Sequence, residues 1–302
     1  MLILADDHRD SLERDLYTLT AKATPEQAAR ISADKLLVYQ ALLAATASLP
    51  SSAQAGILVD EQFAAGVAEL AGASDGLVNL SMPLEASGRD WFEFAYGDDW
   101  QRHAEFFDTD HAKVLIRDNP GLAADNRGRQ AARLKRVSDW AAAGGHELII
   151  ELLVPATDDD LRSVNGDAKR YDDELRPRLT LDVIRYLQDR GANPALWKVE
   201  GMDTTADAAA VAEIARRDGR TAECIVLGRH ASKEDLDRWL SIAAPIPGYV
   251  GFAIGRSIWW DALADLLSET ITPDAAREQI AKTYLEYANA YLAARPNREN
   301  EK

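Results

Sequence analysis

The chain has 302 residues, and 34 Lys and Arg against 50 Asp and Glu give it a formal net charge of −16. Such an acidic chain lacks the basic surface that nucleic acid requires, so we expect no nucleic-acid partner. A composition of 47% hydrophobic and 28% charged residues excludes intrinsic disorder and collagen, and the apolar runs are too short to span a membrane.

Short apolar runs alternate with longer helical patterns along the chain. The predicted strands are 2–5, 56–60, 77–81, 112–117, 147–154, 195–200, 222–228 and 249–254. The predicted helices are 25–48, 61–72, 126–143, 170–190, 204–217, 232–244 and a last helix that begins at Thr272-Pro273. Eight strand-then-helix units without a long linker favour one (β/α)8 TIM barrel of the α/β class over residues 1–294, followed by a polar tail over 295–302.

Two connections, 82–111 and 156–169, are longer than a strand-to-helix turn requires. Both follow the carboxyl end of a predicted strand, the end of a barrel at which loops build active sites. We therefore expect both connections to border a site, with Trp91 and Trp100 as candidate pocket residues.

Three ionisable residues interrupt the apolar fourth, fifth and sixth strands: Lys113, Glu151 and Lys198. Because side chains alternate along a strand, their positions predict that all three point into the barrel. An isolated buried charge is costly, so the three side chains are expected to share one polar pocket.

This grouping suits amine catalysis. A lysine attacks a ketone only as the neutral amine, and both burial and a second cation lower the pKa of an amine. Lys113 would then depress the pKa of Lys198, while Glu151 would move protons. The spacing leaves a second interpretation open, in which the three residues form a structural ion-pair network without chemistry.

Six segments in register resemble the aldolase domain of the bacterial inositol-catabolism proteins, which splits 2-deoxy-5-keto-gluconate 6-phosphate. More distantly, they resemble the tagatose-bisphosphate and sulfofructose-phosphate aldolases of the Schiff-base class. The segments are Leu-Ala-Asp-Asp-His-Arg at 4–9, Gly-Ile-Leu-Val-Asp-Glu at 56–61, His-Ala-Lys-Val-Leu-Ile at 111–116, Leu-Ile-Ile-Glu-Leu-Leu at 148–153, Leu-Trp-Lys-Val-Glu at 196–200 and Gly-Phe-Ala-Ile-Gly-Arg-Ser-Ile-Trp at 251–259.

The resemblance implies a role for each matched position. Lys198 would form the Schiff base with the substrate ketone, and Glu151 would transfer protons. Lys113 matches a second active-site lysine. Asp7 matches a carboxylate that holds substrate hydroxyls, and the positions beside it, His8 and Arg9, would face the substrate.

A phosphate site is expected at the last two strands. The resemblance places the phosphate at Gly255 and Arg256, and barrel phosphates in general bind after the seventh and eighth strands. Gly228 and Arg229 end the seventh strand. Glycine lets backbone N–H groups approach an anion, and arginine offers a two-pronged donor. The alternative is an ordinary strand-to-helix turn with surface arginines.

The chain departs from the family pattern at positions that would face the substrate. Residues 117–119 are Arg-Asp-Asn where the inositol branch carries an aromatic residue, a tyrosine and a histidine, and Arg229-His230 stand where that branch has an apolar residue after glycine. His8 and Asp10 replace glutamine and glycine of the sugar-bisphosphate branch. The identity of the sugar therefore stays open.

Neither a metal nor a cofactor is predicted. His8, His103 and His111 could meet at the barrel mouth, but no metal-ligand spacing such as His-x-His occurs. No nucleotide-binding glycine motif is present. The N-terminus shows no basic leader, so we expect a cytoplasmic protein with no membrane partner. The sequence leaves open whether the chain forms a homo-oligomer.

The sequence thus predicts a metal-independent class I aldolase, a lyase that cleaves a phosphorylated keto-sugar acid or ketose to dihydroxyacetone phosphate and an aldehyde. Two alternatives remain. One is a sugar-phosphate isomerase or epimerase on the same barrel, and the other is a non-catalytic sugar-phosphate binding protein.

Overall fold

Eight parallel strands close into a barrel in this computed structural model, which describes residues 1–229 and 231–296. Each strand pairs with the next, and the eighth pairs with the first. The strands are β1 Leu2–Asp6, β2 Ala55–Val59, β3 Val78–Pro83, β4 His111–Arg117, β5 Glu147–Leu153, β6 Leu196–Glu200, β7 Glu223–Leu227 and β8 Tyr249–Ile254. The predicted (β/α)8 barrel is confirmed, with every predicted strand present.

Twelve α-helices lie within the described residues. They are α1 Asp10–Asp15, α2 Pro25–Thr46, α3 Glu61–Gly72, α4 Trp100–Phe106, α5 Ala124–Gly144, α6 Asp158–Ser163, α7 Ala168–Arg170, α8 Arg176–Gln188, α9 Thr205–Ala215, α10 Lys233–Ala243, α11 Arg256–Leu267 and α12 Pro273–Ala294. The helix predicted over 170–190 divides into a π-helix, Tyr171–Leu175, and α8. The short helices α1, α4, α6 and α7 were not predicted, because they contain too few residues to show a helical period.

Side-chain caps fix where several of the long helices begin. The Thr24 side chain accepts a hydrogen bond from the backbone N–H of Gln27, whose side chain returns the contact to the backbone of Thr24. The Ser232 side chain caps α10 by accepting from Asp235 N, and the Thr272 side chain caps α12 by accepting from Ala275 N, in both cases without a return contact to the backbone of the cap among the described residues. These caps explain why the predicted and observed beginnings of these helices agree.

Alternation along the strands separates two hydrophobic layers. The barrel interior holds a small cluster, Ile3, Ala5, Leu58, Ile149, Leu196, Ile225 and Ala253. The outward side chains pack against the helices in a much larger cluster, which includes Trp197. Because Trp197 faces outward, its neighbour Lys198 faces into the barrel, as the sequence predicted.

None of the described helices is both long and apolar enough to cross a membrane. Of the tail predicted over 295–302, residues 297–302 lie outside the described part of the chain, as does His230.

Candidate functional site

A cavity of about 410 Å³ opens at the carboxyl ends of the strands. All ten site residues expected from the sequence line this one cavity: Asp7, His8, Arg9, Lys113, Glu151, Lys198, Gly228, Arg229, Gly255 and Arg256. The barrel therefore brings together residues from β1, β4, β5, β6, β7 and β8 that are up to 249 positions apart in sequence.

Glu151 and Lys198 form the centre of the cavity wall. They are register partners on the adjacent strands β5 and β6. The Lys198 Nζ lies 2.9 Å from Glu151 Oε1. Burial alone would raise the pKa of Glu151. The ammonium groups of Lys113 and Lys198 have the larger, opposite effect, so the pKa of this carboxyl is lowered. Glu151 therefore stays an anion that touches the amine directly.

Lys113 is surrounded by carboxylates. Its Nζ lies 2.6 Å from Glu85 Oε1, 2.9 Å from Asp7 Oδ2 and 2.9 Å from Glu151 Oε2. Burial opposes the charge, yet these carboxylates raise the pKa of Lys113 well above its ordinary value. Lys113 therefore stays a cation.

The electrostatic role expected for Lys113 meets a physical objection. Three carboxylates lie against Lys113, so its positive charge is offset by its own neighbours. The cluster of Asp7, Glu85, Glu151 and the two lysines carries more carboxylates than ammonium groups. Lys113 thus holds the carboxylates in place, and it is not a free cation directed at Lys198.

The end of β1 supplies Asp7, His8 and Arg9. Burial opposes ionisation of Asp7, but Lys113 and Lys198 hold the pKa of this carboxyl well below its usual range. Burial lowers the pKa of His8 to about 3, so its imidazole is neutral. The His8 Nδ1 is buried and has no hydrogen-bond partner among the described residues. Arg9 donates to the backbone oxygen of Glu85 at 2.8 Å.

The ends of β7 and β8 form the opposite wall. Gly255 precedes α11, and a Cβ there would collide with the carbonyl oxygen of Ala5, so only glycine permits this close approach. No side chain caps the N-terminus of α11. Burial lowers the pKa of Arg256. Arg256 has no hydrogen-bond or ion-pair partner within residues 1–229 and 231–296.

Arg229 differs from Arg256 because protein carboxylates already hold it. Its Nη1 lies 2.9 Å from Glu200 Oε1 and 3.0 Å from Asp172 Oδ1. Burial opposes its charge, while Glu200 and Asp172 raise its pKa. Glu200 pairs with Arg229 and accepts a hydrogen bond from Val154 N at 2.9 Å.

Glu85 is the main residue that the sequence analysis missed. It follows β3, and it continues the inward alternation of Ser81 and Pro83 beyond the end of the strand. Extending the alternation by two residues would have identified it, just as Asp7 continues the alternation of Ile3 and Ala5.

Several expectations about the rim of the site are wrong. Trp91 lines the cavity, but Trp100 is buried against Phe94, at 4.6 Å between ring centroids. Of residues 117–119, only Arg117 lines the cavity. Asp118 is buried in an ion pair with Arg127.

The connection over 156–169 does not line the cavity either. It forms α6 and α7 and packs beside the barrel mouth, where Asn119 donates to Asp160 Oδ2 at 2.9 Å. Asn119 is therefore a structural residue, contrary to the expectation that it faces the substrate.

The histidines do not meet at the barrel mouth. His103 pairs with Glu61 beside α3, and His111 at the start of β4 pairs with Glu147. Among the four histidines that the structure describes, only His8 lines the cavity. Within the part of the chain that the structure describes, no group of three or more His, Cys, Asp or Glu side chains is placed to hold a metal ion.

The cavity is locally positive in an acidic chain. Eight Lys and Arg side chains and five Asp and Glu side chains line it, a local excess of three positive charges. The whole chain carries a net charge of −16. Low-dielectric walls focus such a field, so the cavity attracts anions that the rest of the surface repels.

Solved structures with a similar fold include Cgl0159 from Corynebacterium glutamicum, at 16% identity and a TM-score of 0.55, covering 95% of this chain and 85% of that one. A Schiff-base-forming fructose-1,6-bisphosphate aldolase matches at 16% identity and a TM-score of 0.50, covering 89% of this chain and 93% of that one. The YdjI aldolase from Escherichia coli K12 matches at 11% identity and a TM-score of 0.50, covering 84% of this chain and 86% of that one. At these identities the likeness concerns the barrel fold.

A comparison with curated protein sequences gives no match. The narrower resemblance to inositol-catabolism aldolases stays a hypothesis. A family profile matches residues 1–295, nearly the whole chain, and on that basis the protein belongs to the family described as uncharacterized proteins conserved in bacteria (DUF2090).

Proposed function

We propose that this protein is a metal-independent class I aldolase that joins Lys198 to a phosphorylated ketone as a Schiff base. The observation that carries the proposal is the contact of 2.9 Å between Lys198 Nζ and Glu151 Oε1 at the floor of an open cavity. An amine and a carboxylate in direct contact supply a nucleophile and a proton carrier to the same carbon atom.

The first step is attack by the neutral Lys198 amine on the ketone carbon. Glu151 takes one proton from the attacking nitrogen and returns it to the oxygen, which gives a carbinolamine. A second proton, the one that Lys198 released to solvent on becoming the neutral amine, then lets this oxygen leave as water and gives the iminium. The resulting iminium draws electrons from the neighbouring carbon–carbon bond. When this bond breaks, an aldehyde departs and an enamine remains, which is protonated and hydrolysed to release dihydroxyacetone phosphate and free Lys198.

The phosphate of the substrate is assigned to the wall formed by Gly228, Gly255 and Arg256. The unpartnered guanidinium of Arg256 and the uncapped N-terminus of α11 both offer donors to an anion there. Arg229 contributes less, because Asp172 and Glu200 already hold it. Asp7 and His8 are assigned to substrate hydroxyls on the β1 side.

The substrate class follows from the positive cavity and from the family resemblance. A phosphorylated keto-sugar acid of the 2-deoxy-5-keto-gluconate 6-phosphate type, or a ketose phosphate, would bring an anion to Arg256 and a ketone to Lys198. Arg117, at the end of β4 where the inositol branch has an aromatic residue, is the position at which these substrates would be distinguished.

Borohydride reduction in the presence of dihydroxyacetone phosphate tests the proposal. The wild-type protein is expected to gain a reduced adduct on the peptide that contains Lys198, as measured by mass spectrometry. Lys198→Met is expected to gain none. Lys169→Met removes an exposed lysine on α7 and serves as the matched control that still forms the adduct.

Other outcomes identify the alternatives. Proton exchange or isomerisation of a sugar phosphate without an adduct would overturn the Schiff base and indicate an isomerase or epimerase. Thermal stabilisation by sugar phosphates, with neither adduct nor turnover and with binding retained in Lys198→Met, would indicate a binding protein.

A further inference from the structure

One carboxylate oxygen of Glu85 accepts no hydrogen bond from the described residues. The residue is 5% exposed and lines the cavity. Its Oε1 lies 2.6 Å from Lys113 Nζ. Its Oε2 is buried and has no hydrogen-bond partner among the described residues. A buried carboxylate oxygen without a donor is costly, so a donor from a ligand would remove that cost.

The backbone holds Glu85 in place. Its carbonyl oxygen accepts from the Arg9 guanidinium at 2.8 Å, and the residue pairs with Phe94 in an isolated antiparallel bridge. Lys113 fixes the other end of the side chain. The buried, unpartnered oxygen therefore belongs to a cavity-lining side chain that is fixed at both ends, which is what a preorganised catalytic group requires.

Glu151 is already committed to the two amines. Its Oε1 contacts Lys198 and its Oε2 contacts Lys113, each at 2.9 Å. These contacts suit it to proton transfer at the Schiff-base nitrogen. They leave it no free oxygen for a hydroxyl further along the substrate, so the step that breaks the carbon–carbon bond needs another base.

The order of strands places Glu85 at the far end of the substrate. In a closed ring of eight strands, β3 lies directly across from β7 and β4 lies across from β8. The anion is assigned to the β7 and β8 side, and the ketone is assigned to Lys198 on β6. The part of the substrate beyond the ketone therefore extends toward β3 and β4, where Glu85 and Arg117 line the cavity.

We propose that Glu85 is a catalytic residue whose free Oε2 binds, and removes the proton from, the substrate hydroxyl on the carbon that becomes the aldehyde. This inference rests on the proposed Schiff-base function. As the proton moves to Glu85, the oxygen forms the aldehyde C=O, the carbon–carbon bond breaks, and its electron pair enters the iminium to give the enamine. In the reverse direction Glu85 returns the proton to the new hydroxyl.

Two half-reactions separate this role from the others. Exchange of a carbon-bound proton of dihydroxyacetone phosphate with D2O, followed by NMR, requires Lys198 and Glu151 and involves no aldehyde. Condensation of dihydroxyacetone phosphate with glyceraldehyde 3-phosphate, or with succinic semialdehyde, requires in addition the group that protonates the new hydroxyl. Both are measured for the wild type and Glu85→Gln.

Glu85→Gln is expected to keep proton exchange within about two-fold of the wild-type rate and to slow condensation by about 100-fold or more. Glu61→Gln, at a glutamate paired with His103 outside the cavity, is the matched control and should leave both rates unchanged. If Glu85→Gln does not fold, as judged by its thermal midpoint, Glu85→Asp keeps the charge beside Lys113 and should slow condensation by at least about ten-fold while exchange persists.

Condensation by Glu85→Gln within about three-fold of wild type would overturn the inference. Equal loss of exchange and condensation would also overturn it, because it would assign Glu85 to holding Lys113. A wild-type protein that exchanges protons but condenses neither aldehyde would overturn it and leave the Schiff base standing. A wild-type protein with neither an adduct nor exchange would instead overturn the proposed function.

Discussion

Two buried lysines lie on opposite sides of the barrel wall, and their surroundings differ in one respect. Lys113 faces inward, where Asp7, Glu85 and Glu151 contact it. Lys35, on α2, lies outside the wall and donates to Asp6 O at 2.5 Å, His8 O at 3.0 Å and Asp60 Oδ2 at 2.5 Å. Both lysines are 1% exposed. The inward cluster borders the large cavity, whereas Lys35, Asp6 and Asp60 do not.

The difference shows that buried charge alone does not identify a site. The cluster around Lys35 also contains oxygens without a hydrogen bond among the described residues, the two carboxylate oxygens of Asp6, although Lys35 Nζ lies 3.6 Å from Asp6 Oδ1. Burial raises the pKa of Asp6 to about 7, against the opposing effect of Lys35. The cavity separates the two clusters, because Glu85 is one of the residues that line it and Asp6 is not.

The largest expected effect comes from removing Lys35. In Lys35→Met, the buried carboxylate of Asp60 loses its cation, and the free energy of unfolding should fall by about 3–5 kcal/mol. In Lys198→Met, Glu151 still has its ion pair with Lys113, so the free energy of unfolding should fall by less than about 2 kcal/mol. Aldolase activity should disappear in this variant. Urea unfolding of both variants measures the contrast, and equal losses would mean that both clusters are structural.

A smaller effect is expected from the two arginines at the β7 and β8 wall. Arg256→Gln should raise the KM for dihydroxyacetone phosphate by about 10- to 100-fold, because charge-assisted hydrogen bonds to the phosphate are lost. Arg229→Gln should raise it by less than about five-fold, since Glu200 and Asp172 already offset that charge. The measurement is which variant has the larger KM. A larger KM for Arg229→Gln than for Arg256→Gln would mean that the anion binds at Arg229.

The smallest effect concerns pH. Asp6 titrates near 7 in the folded protein and near 3.8 as an ordinary carboxyl. Between these values the folded state holds a proton that the unfolded state has lost, so this group makes stability fall as pH rises toward 7. Lys35, Asp60 and Asp7 are the ionisable groups that face it. The pKa of Lys35 is raised and that of Asp7 is lowered by their neighbours, so these two stay charged throughout. From pH 6 to pH 8 the free energy of unfolding of the wild type should fall by about 1 kcal/mol more than that of Asp6→Asn. If the free energies of unfolding of the two proteins change with pH in parallel, this prediction is wrong.

Much of the barrel and the centre of the site could be predicted, because both depend on local periodicity. Alternation along three strands was sufficient to direct Lys113, Glu151 and Lys198 into the barrel. The register then makes Glu151 and Lys198 direct neighbours. The caps at Thr24 and Ser232 likewise depend on residues within three positions of each other.

The pairing of the charges could not be predicted, because it depends on contacts between segments distant in sequence. Arg229 is held by Asp172, 57 residues away, and Lys113 by Asp7, 106 residues away. The conformation of the chain after β3 depends on the bridge between Glu85 and Phe94 and on Arg9. No local pattern reports these contacts, so the sequence suggested a free Arg229 and overlooked Glu85.

Asp6 and Asp7 are consecutive residues, yet one belongs to the closed cluster around Lys35 and the other to the open cavity. A shift of β1 by a single position would exchange the two side chains, placing each carboxylate on the wrong side of the sheet. We therefore expect the first strand to reject insertions and deletions even where a conservative apolar substitution is tolerated. Its length, together with its buried composition, is what any redesign of this barrel must keep.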